Sequence, residues 1–266
     1  MKDQSAAPGP PTMPKTPEAR QRFSRLRRLI HDDHYRQRIL FGVSLLAFAI
    51  VAVLAAFVRL YQVLPFDVAT TREFQELQGT WFLDLMVYVS LLGYIPWSII
   101  TVAAGTVLVG VVLGLKDGAF LLGATIVQGL INLGVKTAIG RARPSSSLVD
   151  VVRQASGNSF PSGHVMFYTV FFGVLFFLAW TRLPNSPVRW LAMVFTSALV
   201  ILVGPSRIFL GAHWLSDVIA AYLLGFIVLG FSIEFYLRYR APTTPDQQEG
   251  AIHAYDKQHE RRSSGQ

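Results

Sequence analysis

The sequence predicts an all-α, polytopic membrane protein, a bundle of six transmembrane helices with an interfacial helix between spans one and two. Three observations lead to this fold class. Of the 266 residues, 52% are hydrophobic, and the mean hydropathy is +0.41. The apolar residues form runs of roughly 20, the length that crosses a ~30 Å hydrocarbon layer as a helix. The basic residues lie mainly beside these runs rather than inside them.

Composition and charge narrow the function classes. The chain has no cysteine, which excludes disulfides, thiolate metal sites and a cysteine nucleophile. The formal net charge is +8, and residues 1–38 hold nine Lys/Arg against four Asp/Glu directly before the first apolar run. This pattern follows the positive-inside rule and favours anionic lipid headgroups over nucleic acid, for which no recognition motif is present. The first run lacks a small-residue cleavage site, so no cleavable signal peptide is expected.

Three regions are predicted. Residues 1–38 form a basic cytoplasmic arm that is partly disordered, because its first 20 residues are polar and rich in proline. The rest of the arm is either an amphipathic helix on the membrane surface or a solvated topogenic tail. Residues 39–240 form the six-span domain. Residues 241–266 form a disordered cytoplasmic tail.

The apolar runs and the breaks between them define the elements of the six-span domain. In order, we predict span one at 39–61, a polar loop, an interfacial helix at 81–95, span two at 96–115, a tight hairpin at 115–118, span three at 119–135, a polar connection at 136–163, span four at 164–180, span five at 190–205 and span six at 213–237. Segment 81–95 is short for a span and is interrupted by Asp84. Six spans place both termini in the cytoplasm, which agrees with the basic residues on that side, Lys116, Arg182, Arg189, Arg238 and Arg240.

The stretch from Ser206 to Asp217 carries the strongest chemical signal. On a helix, His213 and Asp217 would lie one turn apart on one face, so the carboxylate can orient the ring and leave the other nitrogen free to attack. Arg207 adds a permanent cation, and the three groups together suggest phosphoryl chemistry. Such a His-x-x-x-Asp pair also occurs in helices without a catalytic role. Ionisable residues among apolar spans are costly, however, and are functional candidates for that reason.

Two more polar clusters are expected at the same face of the membrane. Three cations, Lys136, Arg143 and Arg207, would repel one another if no anion lay between them. A phosphoryl group would supply that anion. The alternative for Lys136 and Arg143 is interfacial snorkelling. Arg141 is assigned to the surface.

Ser162 is placed as the N-cap of span four. The amides of Gly163 and His164 at the helix start would form an anion site, although a plain helix cap would look the same. Zinc at His164, His213 and Asp217 is disfavoured because three cations lie nearby, so we predict no metal and no cofactor.

Together, Lys136-x6-Arg143-Pro144, Pro161-Ser162-Gly163-His164 and Ser206-Arg207-x5-His213-x3-Asp217 resemble the three-part signature of the type 2 phosphatidic acid phosphatase family of membrane lipid phosphatases. All three motifs match without departure and in the family's order. The resemblance covers roughly residues 39–240 and implies a phosphohistidine mechanism that needs no metal. By motif position, it makes His213 the nucleophile, Asp217 its orienter, His164 the proton donor to the leaving oxygen, and Lys136, Arg143, Ser162, Gly163 and Arg207 the phosphate-binding residues.

The resemblance implies an integral membrane lipid phosphatase of a bacterial inner (plasma) membrane. Six spans with cytoplasmic termini place its site at the extracytoplasmic face. The expected substrates are undecaprenyl diphosphate, phosphatidylglycerol phosphate or phosphatidate, and a bell-shaped pH–rate profile and full activity in EDTA are expected. A lipid phosphotransferase would carry the same motifs. An anion or lipid transporter would place polar groups or broken helices at mid-span, whereas here the charges lie at span ends.

Overall fold

The structure, a computed structural model, describes residues 33–77, 79–153 and 156–240. Within these ranges all regular secondary structure is helical, which confirms the predicted all-α class. The eight helices are α1 (Asp33–Leu60), α2 (Pro65–Gln75), α3 (Thr80–Leu91), α4 (Trp97–Val112), α5 (Leu115–Ile139), α6 (Gly163–Arg182), α7 (Pro187–Phe209) and α8 (Leu215–Arg240). Residues 33–38 of the predicted arm begin α1. The rest of the arm and the predicted tail lie outside the described residues.

Five helices, α1 and α5 to α8, are long and apolar enough to cross a membrane, which identifies an integral membrane protein. Helices α3 and α4 are also apolar but have only 12 and 16 residues. The described residues therefore contain five candidate spans. The predicted count of six, with α4 as span two, stays a prediction, and so does the interfacial position of α3.

Two segments predicted to be connections are helical. The polar loop before segment 81–95 contains α2, which starts at Pro65, a position where the missing N–H of proline breaks no intrahelical bond. The hairpin predicted at 115–118 is wrong, because these residues form the first turn of α5. The turn itself lies just before them, at Gly114, whose φ of +118° suits glycine.

The helices beside the third motif also differ from the prediction. Helix α7 continues through Pro205 to Phe209 instead of ending at the proline. Helix α8 begins at Leu215, two residues later than predicted. His213 therefore lies in the turn between the two helices and not on one helical face with Asp217.

Helix α6 is the centre of the bundle. It packs against α5, α7 and α8, and its side chains are buried on nearly every side, as expected for a helix that is apolar all round. A cluster of aromatic rings follows its first turns, including Phe167 and Phe171, whose ring centroids lie 5.3 Å apart. The N-terminus of α6 is thereby fixed at the middle of one end of the bundle.

The two ends of the bundle carry different residues. At one end, here called the basal end, the start of α1 meets the end of α8, where Arg36 Nη2 lies 2.9 Å from Glu234 Oε2. The starts of α5 and α7 and the end of α6 also lie at this end. At the other end, here called the site end, α5 and α7 finish and α6 and α8 begin. The three sequence motifs all belong to the site end.

Candidate active site

The helix ends at the site end bring the predicted site residues together. Lys136 is in the last turn of α5, Arg143 in the loop that follows, Ser162 just before α6, Gly163 and His164 in its first turn, Arg207 in the last turn of α7, His213 in the turn before α8, and Asp217 in the first turn of α8. Motifs whose residues lie 70 positions apart are thus joined by side-chain contacts at these helix ends.

His213 contacts a different group at each ring nitrogen. Its Nδ1 lies 3.3 Å from Ser159 Oγ and 3.5 Å from Asp217 Oδ2. Its Nε2 lies 3.1 Å from Arg143 Nη1. An arginine can only donate, so Nε2 accepts this hydrogen bond and the ring proton is on Nδ1. The geometry therefore places a lone pair on Nε2, the nitrogen that a nucleophilic histidine uses.

The surroundings of His213 keep its imidazole neutral. The side chain is 2% exposed, and this burial lowers the pKa of His213 well below its usual range. The positive charges of Arg143, Arg207 and Lys136 lower the pKa of His213 further. A neutral imidazole is the form that attacks phosphorus.

Lys136 and Arg143 are held by neutral groups. Lys136 Nζ donates to the carbonyl of Asn158 at 2.7 Å. Arg143 donates through Nε to the carbonyl of Gly157 at 3.0 Å and through Nη1 to that of Ala212 at 2.9 Å. Burial, followed by the charge of Arg207, lowers the pKa of Arg143, so this cation is destabilised where it lies. An anion between the cations would relieve that cost.

Arg207 is fully buried and is also held by neutral groups. Its Nη1 donates to Tyr94 Oη at 2.6 Å and to Ser90 Oγ at 3.0 Å, while its Nε has no hydrogen-bond partner in the described part of the chain. Across the described ranges, no carboxylate lies within 4.0 Å of the cationic groups of Lys136, Arg143 or Arg207. Three cations without a counter-ion form a site for an anion.

Two buried polar atoms of the second motif have no partner among the described residues, Ser162 Oγ and His164 Nε2. Ser162 is the N-cap residue of α6, as predicted, but its hydroxyl makes no capping bond. Gly163 faces α5, and a Cβ there would lie 3.2 Å from Asn132 Oδ1. A buried polar group without a partner costs about 1–3 kcal/mol. Together with the amides at the start of α6, these atoms are suited to a phosphoryl oxygen or a leaving oxygen.

Arg141 is not on the surface, so that prediction is wrong. The residue is 0% exposed and lies between two carboxylates. Its Nη1 donates to Asp217 Oδ1 and to Ser216 Oγ, both at 2.6 Å, and its Nη2 donates to Asp67 Oδ2 at 2.7 Å. The error arose because Asp67 comes from α2, a segment that the sequence presented as a polar loop.

The sequence analysis missed two further residues of the site. Ser159 Oγ donates to Asp217 Oδ2 at 2.5 Å, and its place three residues before Ser162 was the signal that could have identified it. The ring centroid of Tyr94 lies 4.5 Å from that of His164, and the ring also packs against the guanidinium of Arg207. Tyr94 lies in the α3–α4 turn, far from every motif, and no sequence signal marked it.

The donor set does not suggest a metal. Within residues 33–77, 79–153 and 156–240, no group of three or more His, Asp or Glu side chains is arranged to hold a metal ion. The side chains that surround His213 are mainly cations, which would oppose a divalent metal.

Similarity to known proteins confirms the resemblance that the motifs predicted. The family model of the PAP2 superfamily matches residues 117–241, a range that contains all eight predicted site residues. Phosphatidylglycerophosphatase B of Bacillus subtilis (strain 168) is 32% identical over 120 residues, which is 43% of this chain and 58% of the relative. Lipid A 1-phosphatase of Rhizobium etli is 34% identical over 115 residues, 41% of this chain and 45% of the relative. The chain thus spans about half the length of the curated relatives it matches.

Two solved structures share the fold. The crystal structure of a transmembrane PAP2 type phosphatidylglycerolphosphate phosphatase from Bacillus subtilis superposes with a TM-score of 0.65 and 23% identity, over 74% of this chain and 98% of that chain. The crystal structure of Aquifex aeolicus LpxE superposes with a TM-score of 0.54 and 17% identity, over 65% of this chain and 98% of that chain. The arrangement of helices is therefore shared with these two solved proteins.

Proposed function

We propose that this protein is a membrane lipid phosphatase that hydrolyses a lipid phosphate or diphosphate, without a metal, through a phosphohistidine on His213. One observation carries the proposal. The unprotonated Nε2 of a buried, neutral His213 lies among cations that have no carboxylate partner. A nucleophile surrounded by such cations is what transfer of a dianionic phosphoryl group requires.

In the first step, His213 Nε2 attacks phosphorus, the new P–N bond forms, and the bond from phosphorus to the leaving lipid oxygen breaks. Lys136, Arg143 and Arg207 stabilise the charge on the phosphoryl oxygens, and the Ser162 hydroxyl and the amide of Gly163 donate to them. His164, whose Nε2 has no partner among the described residues, donates a proton to the leaving oxygen. Asp217 keeps the ring proton on Nδ1 until the ring becomes cationic.

In the second step, water attacks the phosphohistidine, and the P–N bond breaks. His164, now neutral, takes a proton from this water, so that it is ready to donate again. The products are inorganic phosphate and the dephosphorylated lipid. Two steps divide a barrier that is among the highest in biology, since phosphate monoester hydrolysis can need an acceleration of up to ~10²¹-fold. Transfer to an acceptor lipid instead of water would use the same first step.

The substrate is a membrane lipid with a terminal phosphoryl group. Similar proteins are named phosphatidylglycerophosphatase B and lipid A 1-phosphatase, which supports this class. The site lies where helices of membrane-spanning length end, so the lipid tail stays in the bilayer while the phosphoryl group reaches the cations. Phosphatidylglycerol phosphate, phosphatidate and undecaprenyl diphosphate are the candidates to compare.

The proposed topology has six spans, with α4 as the second and α3 at the interface. At 1.5 Å per residue, the 16 residues of α4 extend over about 24 Å, which is roughly 6 Å less than the ~30 Å hydrocarbon core. The contact of Arg36 with Glu234 supports termini on one side, and the basic arm assigns that side to the cytoplasm. Residues 1–38 are then a cytoplasmic arm, 39–240 the phosphatase domain and 241–266 a cytoplasmic tail, with the site on the extracytoplasmic face of a bacterial inner membrane.

The test is phosphate release in detergent and EDTA by the wild type, His213→Ala and the matched control His34→Ala, from the three candidate lipids. His34 is exposed at the start of α1, so its replacement is expected to leave activity unchanged. We expect release by the wild type and H34A, and a loss of at least about 10³-fold in H213A. A phosphorylated acceptor lipid in place of free phosphate would identify a transferase. Equal activity of H213A, or a loss in EDTA that added metal restores, would contradict the mechanism.

A further inference from the structure

The two oxygens of Asp217 have different partners. Oδ2 accepts from Ser159 Oγ at 2.5 Å and from the backbone N–H of Trp214 at 2.9 Å, while Oδ1 accepts from Arg141 at 2.6 Å. His213 Nδ1 is 3.5 Å from Oδ2, longer than its 3.3 Å to Ser159 Oγ. Asp217 therefore does not orient His213 alone.

Ser159 lies between the carboxylate and the imidazole. A hydroxyl has one hydrogen to donate, and the short distance to Asp217 shows that the carboxylate receives it. The lone pairs of Ser159 Oγ then face the Nδ1–H of His213. The side chain of Ser159 is fully buried, so water does not compete for this arrangement. The hydroxyl shares the carboxylate's charge and offers the ring a second acceptor.

Behind Asp217, a second carboxylate shares the same cation. Arg141 Nη2 donates to Asp67 Oδ2 at 2.7 Å, and Ser216 connects to Asp67 through its backbone N–H at 2.9 Å and its hydroxyl at 2.7 Å. The side chains of Asp67, Arg141, Ser216 and Asp217 are all fully buried. The two carboxylates and the one guanidinium give this group a formal net charge of −1, and Asp217 is the member of the group that contacts His213.

We propose that Ser159, Arg141 and Asp67 are positioning residues for the phosphoryl transfer: Ser159 holds the Nδ1–H tautomer of His213, and the Arg141–Asp67 pair sets the negative charge that Asp217 presents to it. The inference rests on the proposed function and extends it to three residues that the motifs do not specify. It also gives α2 a role, because Asp67 reaches the site from a helix that lies before the family-matched range 117–241.

Two substitutions alter the charge behind His213 in opposite directions. In Ser159→Ala, Asp217 loses a short hydrogen bond and presents more of its charge to the ring. This change favours the imidazolium and outweighs the loss of the neutral Ser159 acceptor, because a full negative charge stabilises a cation more than a hydroxyl does. In Asp67→Asn, the group of carboxylates and guanidinium becomes neutral, which favours the neutral imidazole. The other charged or titratable groups that face His213, Lys136, Arg143, His164 and Arg207, are the same in both variants.

The experiment compares the pH profiles of kcat/KM for the wild type, S159A and D67N on one lipid phosphate. We expect the acid limb to move to higher pH in S159A and to lower pH in D67N. We expect kcat to fall about 10- to 100-fold in each, the range found when the outer hydrogen-bond partner of a metal-binding histidine is removed. The substrate ionises in the same way with every variant, so a difference in the acid limb between a variant and the wild type comes from the protein. Ser146→Ala and Asp84→Asn, which change exposed side chains, are the matched controls.

Each result has one meaning. Shifts of the acid limb in opposite directions support the proposal. A fall in kcat with an unmoved acid limb in both variants would show that these residues only maintain the structure. If D67N does not fold, S159A decides alone, because it leaves every ion pair in place, and an unmoved acid limb then overturns the proposal. A wild type that releases no phosphate from any lipid contradicts the proposed function instead, which keeps the two failures apart.

Discussion

Two ion-paired carboxylates at the basal end contrast with three motif cations at the site end. At the basal end, Asp117 Oδ2 lies 3.2 Å from Arg182 Nη2, and Glu234 lies 2.9 Å from both Arg36 and Arg238. At the site end, Lys136, Arg143 and Arg207 have only carbonyls, hydroxyls and an imidazole as hydrogen-bond partners. Paired charges join helices to one another, whereas cations with neutral partners retain their attraction for an anion.

The same contrast recurs within one motif. Arg141 and Arg143 are two residues apart, yet Arg141 is neutralised by two carboxylates and Arg143 bonds only to two carbonyls and His213. Sequence proximity therefore does not separate an arginine that is paired with carboxylates from one that is free to bind an anion. The partner of each guanidinium does, and that partner comes from a different part of the chain.

The largest effect that tests this comparison is expected from exchanging one arginine at each end for methionine. Arg143→Met should reduce kcat/KM about 10²- to 10³-fold, since it removes a group that stabilises the phosphoryl charge. It should not lower the Tm, because the lost cation is half-buried without a counter-ion. Arg182→Met should lower the Tm and leave kcat/KM unchanged. It deprives the fully buried Asp117 of an ionic partner, at a cost of about 1–3 kcal/mol, and leaves the site intact.

Phosphate release and thermal unfolding of the purified variants measure both quantities. Arg59→Met is the matched control, since Arg59 also donates to carbonyls but is exposed. Similar losses of activity in R143M and R182M would remove the distinction between the two ends.

An intermediate effect is expected from a methyl group added beside His164. Gly93 lies so close to α6 that a Cβ would be 2.3 Å from His164 Cδ2 and 2.8 Å from its Nε2. Gly93→Ala must therefore displace the imidazole, and we expect kcat to fall about 10²-fold, the effect of a misplaced general acid. Gly134→Ala is the control, because a Cβ there has nothing within 4 Å. Unchanged kcat in G93A would show that His164 does not need this position.

Sequence patterns identified the residues proposed to carry the chemistry but not the residues that contact and hold them. His213, Asp217 and the three motif cations could be predicted because ionisable residues at the ends of apolar runs are exceptional. The surroundings of Arg141 could not be predicted, because Asp67 lies 74 residues earlier in a stretch with no apolar periodicity. Tyr94 was missed for a similar reason, because the sequence around an aromatic residue in a turn does not indicate which helix end the residue will contact.

The helix boundaries show the same limit on a smaller scale. The composition of the runs identified the five helices of spanning length, but the turn before α8 depends on tertiary contacts. Asp217 accepts from the backbone N–H of Trp214, the residue before the helix, and so closes the first turn with its own side chain. The carboxylate that contacts His213 therefore also fixes the residue at which α8 begins.

The smallest expected effect concerns the stability of the fold at mildly acidic pH. Burial lowers the pKa of His213 well below about 6.5, the value near which it titrates in the unfolded chain. Between the two pKa values the unfolded chain binds more protons, so the free energy of unfolding falls as the pH falls below about 6.5, by up to about 1.4 kcal/mol per pH unit. His213→Gln should flatten this slope, while His34→Gln, at the exposed basal end, should not. Denaturation in phosphate-free detergent at pH 7.5, 6.5 and 5.5 measures the slopes, and a slope as steep in H213Q as in the wild type would show that burial beside the site-end cations does not hold this imidazole neutral.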